Sequence, residues 1–197
     1  MGCNLTFLKR KDGAKAEGFE KRVLMLGLDN AGKTSILMHL KQGEFLDSVP
    51  TVGLNVEHIS YRNLSMTFWD VGGQARSLWR HYFENTSALI FVVDISDWER
   101  IEQVKDELHK TVYDEALGRC PILLYLNKDD VQYKMTREEV FKELELQSLF
   151  LANFKIIVQE CSAKTKYGLW EGIAQLAGYL ENSDPYTSGR DESFHQD

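Results

Sequence analysis

The residues with the clearest chemical potential form one short segment, residues 27–34, with the sequence GLDNAGKT. Its glycines, Gly27 and Gly32, permit backbone angles that let successive N–H groups point at one phosphate. Lys33 supplies a positive charge for the β and γ phosphates, and the Thr34 hydroxyl is suited to ligate a Mg²⁺ ion that also holds phosphate oxygens. The segment therefore predicts a nucleoside-triphosphate site with Mg²⁺ as cofactor.

Two elements must hold this segment in place. An apolar run with strand character precedes it at residues 22–26, and apolar residues at helical spacing follow at 35–41. The start of that helix adds unpaired N–H groups and the positive end of its dipole beside the phosphates. The alternative is a chance match in a strand-turn-helix unit. The predicted phosphate-binding residues are Asp29, Asn30, Ala31, Gly32, Lys33, Thr34 and Ser35.

Composition and charge narrow the class of protein. With 197 residues, of which 43% are hydrophobic, one α/β domain with tails is the simplest division. The formal net charge is −7, but residues 1–22 carry +3 and the rest −10, which argues against nonspecific nucleic-acid binding. Three scattered cysteines lack metal-ligand spacing and fit a reducing cytosol. No run approaches the roughly 18 apolar residues of a membrane span.

The N-terminal sequence MGCNLT matches the N-myristoylation pattern, with Gly2 as the acceptor. Cys3 is placed for a reversible palmitoyl chain, and a basic cluster follows at residues 9–11. One myristoyl chain holds a protein only marginally, whereas a second chain or a polybasic patch makes anchoring stable. We expect dual acylation and a peripheral position on the cytosolic face of endomembranes or the plasma membrane. The alternative is a soluble, disordered leader.

A second candidate site segment ends a predicted hairpin. Strand-like residues at 56–61 and 64–69 flank a two-residue turn, and the sequence DVGGQ follows at 70–74. Asp70, at a strand end beside the glycine loop, is well placed to hold the Mg²⁺ shell, and a following glycine can bring its N–H against the γ-phosphate.

A third segment favours guanine. The apolar runs 88–93 and 121–126 predict buried parallel strands, and the second ends in Asn127-Lys128-Asp129-Asp130, an Asn-Lys-x-Asp pattern. The Asp130 carboxylate can accept from guanine N1–H and the 2-amino group together, a pair of donors that adenine lacks. Lys128 would lay its stem over the base, and Asn127 would tie loops together. The alternative is a plain polar turn.

The remaining elements close the predicted domain. Capping boxes at 96–99 and 136–139 predict helix starts, the second helix running to about residue 145. A last strand is predicted at 154–158 and a last amphipathic helix at 169–180.

Four segments carry a resemblance to a known family: the glycine loop, PTVGLNVE at 50–57, WDVGGQ at 69–74 and LWRHYF at 78–83. By these segments the chain resembles the Arf/Arl (ADP-ribosylation factor-like) family of small GTPases. The resemblance covers about residues 20–180. It implies a P-loop α/β fold with a mostly parallel six-stranded sheet and helices on both faces. The expected division is a lipidated basic segment at 1–20, a G domain at 21–180 and a disordered acidic tail at 181–197.

The resemblance also assigns roles to residues. Thr51 becomes the switch I threonine that reaches Mg²⁺ when the γ-phosphate is present, Asp70 holds the ion through water, and Gly73 becomes the γ-phosphate sensor. Gln74 becomes the catalytic residue, because its amide can accept from the attacking water and donate to a phosphate oxygen. A third base-contacting loop is assigned to Ser162, Ala163 and Lys164, with the Ala163 N–H directed at guanine O6.

The expected function is a GTP/GDP-regulated switch that hydrolyses GTP slowly and recruits effectors at membranes, in trafficking or signalling. Expected partners are an exchange factor, a GTPase-activating protein and effectors, and the chain is expected to be monomeric. Switch II, here residues 72–79, is two residues shorter than in Arf proteins, and Leu54 replaces a phenylalanine of the family's aromatic patch. Arg76 and Arg80 lie in a partner-facing region, so no arginine finger in cis is evident.

Two alternatives remain open. One is a nucleotide-binding scaffold with little or no turnover, because the short switch II could misplace Gln74. The other is an ATP-using P-loop enzyme such as a small-molecule kinase, against which residues 127–130 argue.

Overall fold

The computed structural model describes residues 20–42, 53–62, 64–74 and 76–182. The predictions for Gly2, Cys3 and Thr51 fall outside these residues, as do residues 1–19 and 183–197 of the two predicted tails. Glu20 begins the first strand, and residues 181–182 end the last helix. Within the described part of the chain, no helix has both the length and the apolar character needed to cross a membrane.

A six-stranded sheet forms the centre of the fold, in the order β2-β3-β1-β4-β5-β6. Only β2 and β3 pair antiparallel, as the predicted hairpin requires, and the other neighbours are parallel. The predicted fold class is confirmed. The strands are β1 (Glu20–Leu26), β2 (Leu54–Tyr61), β3 (Leu64–Val71), β4 (Ala88–Asp94), β5 (Ile122–Asn127) and β6 (Ile156–Glu160).

Helices cover both faces of the sheet. Successive residues of β1 alternate between two hydrophobic clusters: Leu24 and Leu26 join the cluster that contains α2, and Val23 and Met25 join the one that contains α1 and α5. Strands covered on both faces need continuous apolar sequence, which explains the runs in β1, β4 and β5. The helices are α1 (Lys33–Gln42), α2 (Ile101–Val112), α3 (Arg137–Glu143), α4 (Leu146–Leu151) and α5 (Leu169–Asn182).

One of the two predicted capping boxes is wrong. Ser96 donates to the Asp94 carboxylate instead of capping a helix, and Asp97 caps a short 3₁₀ turn, Trp98–Arg100, that precedes α2. The box at 136–139 is confirmed, because Thr136 and Glu139 exchange side-chain-to-backbone hydrogen bonds at 2.7 and 3.2 Å.

One short helix, α4, was not predicted from the sequence. The helix predicted to reach about residue 145 ends at Glu143, because Glu145 adopts a left-handed backbone with φ 50° and starts a separate short helix, α4. The last strand begins at Ile156, two residues later than predicted.

Candidate nucleotide site

The predicted site residues gather at one edge of the sheet. The five parallel strands β1, β3, β4, β5 and β6 have their carboxyl ends at this edge, where ligands bind in open α/β sheets. The glycine loop follows β1, residues 72–74 follow β3, and the two base-loop candidates follow β5 and β6.

Two glycines of the loop are required by its geometry. Gly27 has φ 144°, and a Cβ there would lie 2.3 Å from the Val92 carbonyl oxygen. Gly32 has φ 94°, and a Cβ there would lie 2.3 Å from the Asn127 side-chain nitrogen. The loop therefore packs tightly against β4 and β5 on its outer side.

Lys33 is held inside this loop. The side chain is 5% exposed, and Nζ donates to the carbonyl oxygens of Gly27 and Leu28, both at 2.9 Å. Burial lowers the pKa of the Lys33 ammonium to about 8, although the Asp70 and Asp29 carboxylates oppose the shift. An anionic phosphate beside this nitrogen would favour its charged form.

The candidate metal ligands meet at the start of α1. Thr34 Oγ1 donates to Asp70 Oδ2 at 2.7 Å, and Asp70 is fully buried near the end of β3. A hydroxyl and a carboxylate are the hard oxygen donors that Mg²⁺ prefers, so this pair fits the ion. Ser35 is buried in the same first turn.

Asn127 joins the phosphate and base regions. Its side chain is 1% exposed; Nδ2 donates to the Ala31 carbonyl at 2.8 Å, and Oδ1 accepts from the Ala163 N–H at 3.0 Å. The glycine loop and the loops after β5 and β6 therefore share one side chain. The Ala163 N–H that we expected to face guanine O6 is bonded to Asn127 in this structure.

The Asp130 carboxylate is oriented by a neighbouring hydroxyl. Ser162 Oγ donates to Asp130 Oδ1 at 2.6 Å and accepts from the Thr165 N–H at 3.0 Å, while Asp130 itself is exposed. Asp129 faces elsewhere, since its side chain and carbonyl both accept from Lys134. Asp130 is thus the carboxylate that the second base loop supports.

Two lysines flank this region. Lys128 has φ 70°, and its Nζ lies 2.5 Å from Asp94 Oδ2, at the end of the neighbouring strand β4. Lys164 is exposed next to Ala163. The ion pair fixes the Lys128 stem between the loops after β4 and β5.

The short switch II begins against the glycine loop. A Cβ on Gly73 would lie 2.2 Å from the Asp29 nitrogen, so its backbone occupies a cradle that only glycine fits. Gln74 follows and is exposed. The buried Trp79 indole donates to the Gly72 carbonyl at 3.2 Å and thereby ties the two ends of switch II together.

Arg76 in switch II and Arg80, one residue after it, contact α2 or the residues that follow it. Arg76 Nη1 lies 3.3 Å from Glu107 Oε1, and Arg80 Nε lies 2.9 Å from Asp114 Oδ2. Both guanidinium groups are therefore paired with carboxylates outside the glycine loop.

A different arginine, which the sequence reading missed, reaches the loop. Arg100 donates to the Asp29 carboxylate and to the Asp29 carbonyl, each at 3.2 Å. The available signal was the placement of Asp97-x-x-Arg100 directly after β4, since loops after parallel strands share the site edge.

The aromatic patch in which Leu54 is predicted to replace a phenylalanine would also contain Trp69 and Tyr82. The rings of Trp69 and Tyr82 lie 6.2 Å apart, and Leu54 packs among the partly buried residues beside the core. The Arg22 guanidinium lies 3.8 Å from the centre of the Trp69 ring.

The fold and this site define the class of P-loop small GTPases. Residues 8–180 match the sequence model of the ADP-ribosylation factor family. The chain is also similar to the structure of the Arl6 BBS3 small GTPase from Trypanosoma brucei with bound nucleotide analogue GppNp. Identity is 31%, coverage is 84% of this chain and 100% of that chain, and the TM-score is 0.76.

The chain belongs to the ADP-ribosylation factor (Arf/Arl) family of small GTPases. Proteins of this family in general bind GTP and GDP with Mg²⁺, hydrolyse GTP, and work with exchange factors, GTPase-activating proteins and effectors.

Proposed function

We propose that this chain is a GTP/GDP-regulated switch that hydrolyses GTP slowly on its own and recruits effectors at membranes. The observation that carries the proposal is the Asn127 side chain, which joins the glycine loop to the loop after β6. Because of this connection, the proposed phosphate-binding loop and the Asp130 carboxylate would belong to one nucleotide site.

Guanine selection would come from Asp130. Its carboxylate would accept from guanine N1–H and the 2-amino group, and the Ser162 hydroxyl already fixes one of its oxygens. Lys128, Ala163 and Lys164 would line the rest of the base pocket. For Ala163 to donate to guanine O6, its N–H must share or leave the Asn127 oxygen.

Phosphate binding would rest on the loop backbone, Lys33 and the start of α1. Thr34, Asp70 through water, and Thr51 are the proposed Mg²⁺ ligands. The bound ion would neutralise charge on the phosphate oxygens. The position of Lys33 supports this role, because its buried nitrogen is already held inside the loop by the Gly27 and Leu28 carbonyls.

Switching would depend on two segments, the one that precedes β2 and contains Thr51 and the one that follows β3 and contains Gly73. Gly73 would donate its N–H to the γ-phosphate and Thr51 would bind the ion only in the triphosphate state, so hydrolysis would release both segments. Gln74 would orient the attacking water. Its exposure, and the pairing of Arg76 and Arg80 with carboxylates, support slow intrinsic hydrolysis that a partner's arginine accelerates.

A nucleotide-binding scaffold without turnover is the second candidate. It is favoured by the short switch II, whose two ends the Trp79 indole holds together. Single-turnover GTP hydrolysis with Mg²⁺ separates the two. We expect slow hydrolysis that falls at least about tenfold in Gln74→Leu, because the water loses its orienting amide.

The control is Gln175→Leu, which removes a surface glutamine of α5 and should leave the rate unchanged. Equal rates for the wild type and Gln74→Leu would favour the scaffold.

Membrane attachment through acylated Gly2 and Cys3 is part of the proposal and is supported by the sequence pattern alone. The protein is proposed to be a monomer on the cytosolic face of membranes, with no nucleic-acid partner. Intact-mass measurement of protein from its native cell should show the added acyl mass. An unmodified Gly2 would contradict this part of the proposal.

A further inference from the structure

Arg100 connects α2 to the phosphate loop. It lies 71 residues from Asp29 in sequence, yet Nη1 contacts Asp29 Oδ1 and Nη2 contacts the Asp29 carbonyl, each at 3.2 Å. The side chains of Arg100 and Asp29 are 32% and 38% exposed, so the pair is partly shielded from water. One guanidinium therefore restrains both the backbone and the carboxylate of a single loop residue.

A second carboxylate holds the guanidinium from the other side. Asp97 Oδ2 lies 2.6 Å from both Arg100 Nε and Nη2, and Asp97 Oδ1 accepts from the Arg100 backbone N–H at 3.3 Å. The hydrogen bond that Arg100 donates to Asp97, together with the two carboxylate charges, raises the pKa of Arg100. The guanidinium is thus fixed in position before any ligand binds.

The position of Asp29 in the phosphate loop means that its charge can affect nucleotide binding. Its carboxylate belongs to the loop that is proposed to bind a polyanion, and its backbone nitrogen faces Gly73, the proposed γ-phosphate sensor. An uncompensated carboxylate on this side of the loop would repel the additional charge of a triphosphate more than that of a diphosphate. Arg100 both neutralises the carboxylate and fixes one of its oxygens.

We propose that Arg100 is a positioning residue that restrains and neutralises Asp29, and that it thereby sets the preference of the site for GTP over GDP. This inference rests on the proposed function. It assigns no contact between Arg100 and the substrate, so Arg100 acts through Asp29.

The test compares affinities for GTP and GDP, each measured with Mg²⁺, in the wild type and in Arg100→Gln. We expect the ratio of GTP to GDP affinity to fall about tenfold, as for one uncompensated charge in a partly solvated phosphate site. Arg100→Lys keeps the positive charge but cannot reproduce the two-nitrogen contact of the guanidinium with Asp29. The GTP/GDP affinity ratio should therefore fall by less than in Arg100→Gln.

A double-mutant cycle with Asp29→Asn isolates the mechanism. Once Asp29 carries no charge, Arg100→Gln should leave the GTP/GDP ratio nearly unchanged, and the double variant should recover the ratio lost in Arg100→Gln. Arg119→Gln is the matched control, since this arginine lies before β5 at the opposite end of the sheet and contacts the Ala152 carbonyl.

The inference would be overturned if Arg100→Gln lowered the affinity for both nucleotides equally, or if Asp29→Asn failed to restore the ratio. In either case the contact between Arg100 and Asp29 would only stabilise the fold. A lower hydrolysis rate with an unchanged affinity ratio would also overturn it, in favour of a catalytic role. Failure of the proposed function is distinguishable, because the wild type would then bind neither nucleotide and both proposals would fall.

Discussion

The base loops and switch II meet the same glycine loop but are held to it in different ways. The base loops are joined to it by buried side-chain hydrogen bonds through Asn127, and Ser162 fixes Asp130. In switch II the backbone of Gly73 packs against Leu28 and Asp29 of the loop, and the catalytic candidate Gln74 is exposed. The proposed base-binding loops are therefore held in place by side-chain hydrogen bonds, whereas the proposed catalytic residue, Gln74, is exposed.

The largest effect that would sharpen this contrast is a change of base preference. Asp130→Asn presents an amide nitrogen where guanine needs an acceptor, so preference should move from guanine to xanthine nucleotides by roughly 10³-fold. Competition between GTP and XTP for the purified protein measures it.

Asp129→Asn is the matched control for this change, because the Asp129 side chain binds Lys134 instead of facing the site. The guanine preference of this control should stay intact. Unchanged GTP affinity in Asp130→Asn would refute the assignment.

A smaller effect is expected when the junction itself is removed. Asn127→Ala leaves the Ala31 carbonyl and the Ala163 N–H without their partner, which costs about 2–4 kcal/mol of unfolding free energy. We also expect weaker nucleotide binding, because the three loops lose their common anchor. Chemical denaturation and nucleotide titration measure the two effects.

Asn153→Gly serves as the control for Asn127→Ala, since Asn153 is exposed and has φ 62°, a backbone that glycine adopts readily. If Asn127→Ala were as stable as this control, the base loops would not be preformed in the way the hydrogen bonds indicate.

The smallest effect is expected in switch II. Trp79→Phe removes the indole hydrogen bond to the Gly72 carbonyl and should cost about 1–2 kcal/mol of unfolding free energy, including lost packing against Phe91. Trp98→Phe, at a tryptophan that is 47% exposed, should be close to neutral. Equal stability of the two variants would mean that the indole does not restrain switch II.

Interactions between residues close in the sequence were easier to predict than interactions between residues far apart in it. The Thr136 capping box was predictable because both partners lie within four residues. Ser96 matched the same pattern but was captured by Asp94 at the end of β4, a competition that a local pattern does not contain. The central strands were predictable because burial on both faces demands continuous apolar sequence.

In the site, residue types and spacing predicted a phosphate loop, candidate Mg²⁺ ligands and a candidate guanine-binding carboxylate, all of which remain predictions. They did not indicate where the polar groups between loops would be directed. The Ala163 N–H bonds Asn127, and Arg100 reaches Asp29 from 71 residues away. Both contacts arise from strand order, which brings together loops that are distant in the sequence.

Displacement of a fluorescent guanine nucleotide from the purified protein, in the presence of Mg²⁺, tests the central claim most directly. We predict that unlabelled GTP and GDP displace the fluorescent nucleotide when added in equal amount or small excess. ATP should fail to displace it even at roughly 10³-fold excess, because adenine gives Asp130 no matching pair of donors. Displacement by ATP as effective as that by GTP would contradict the account.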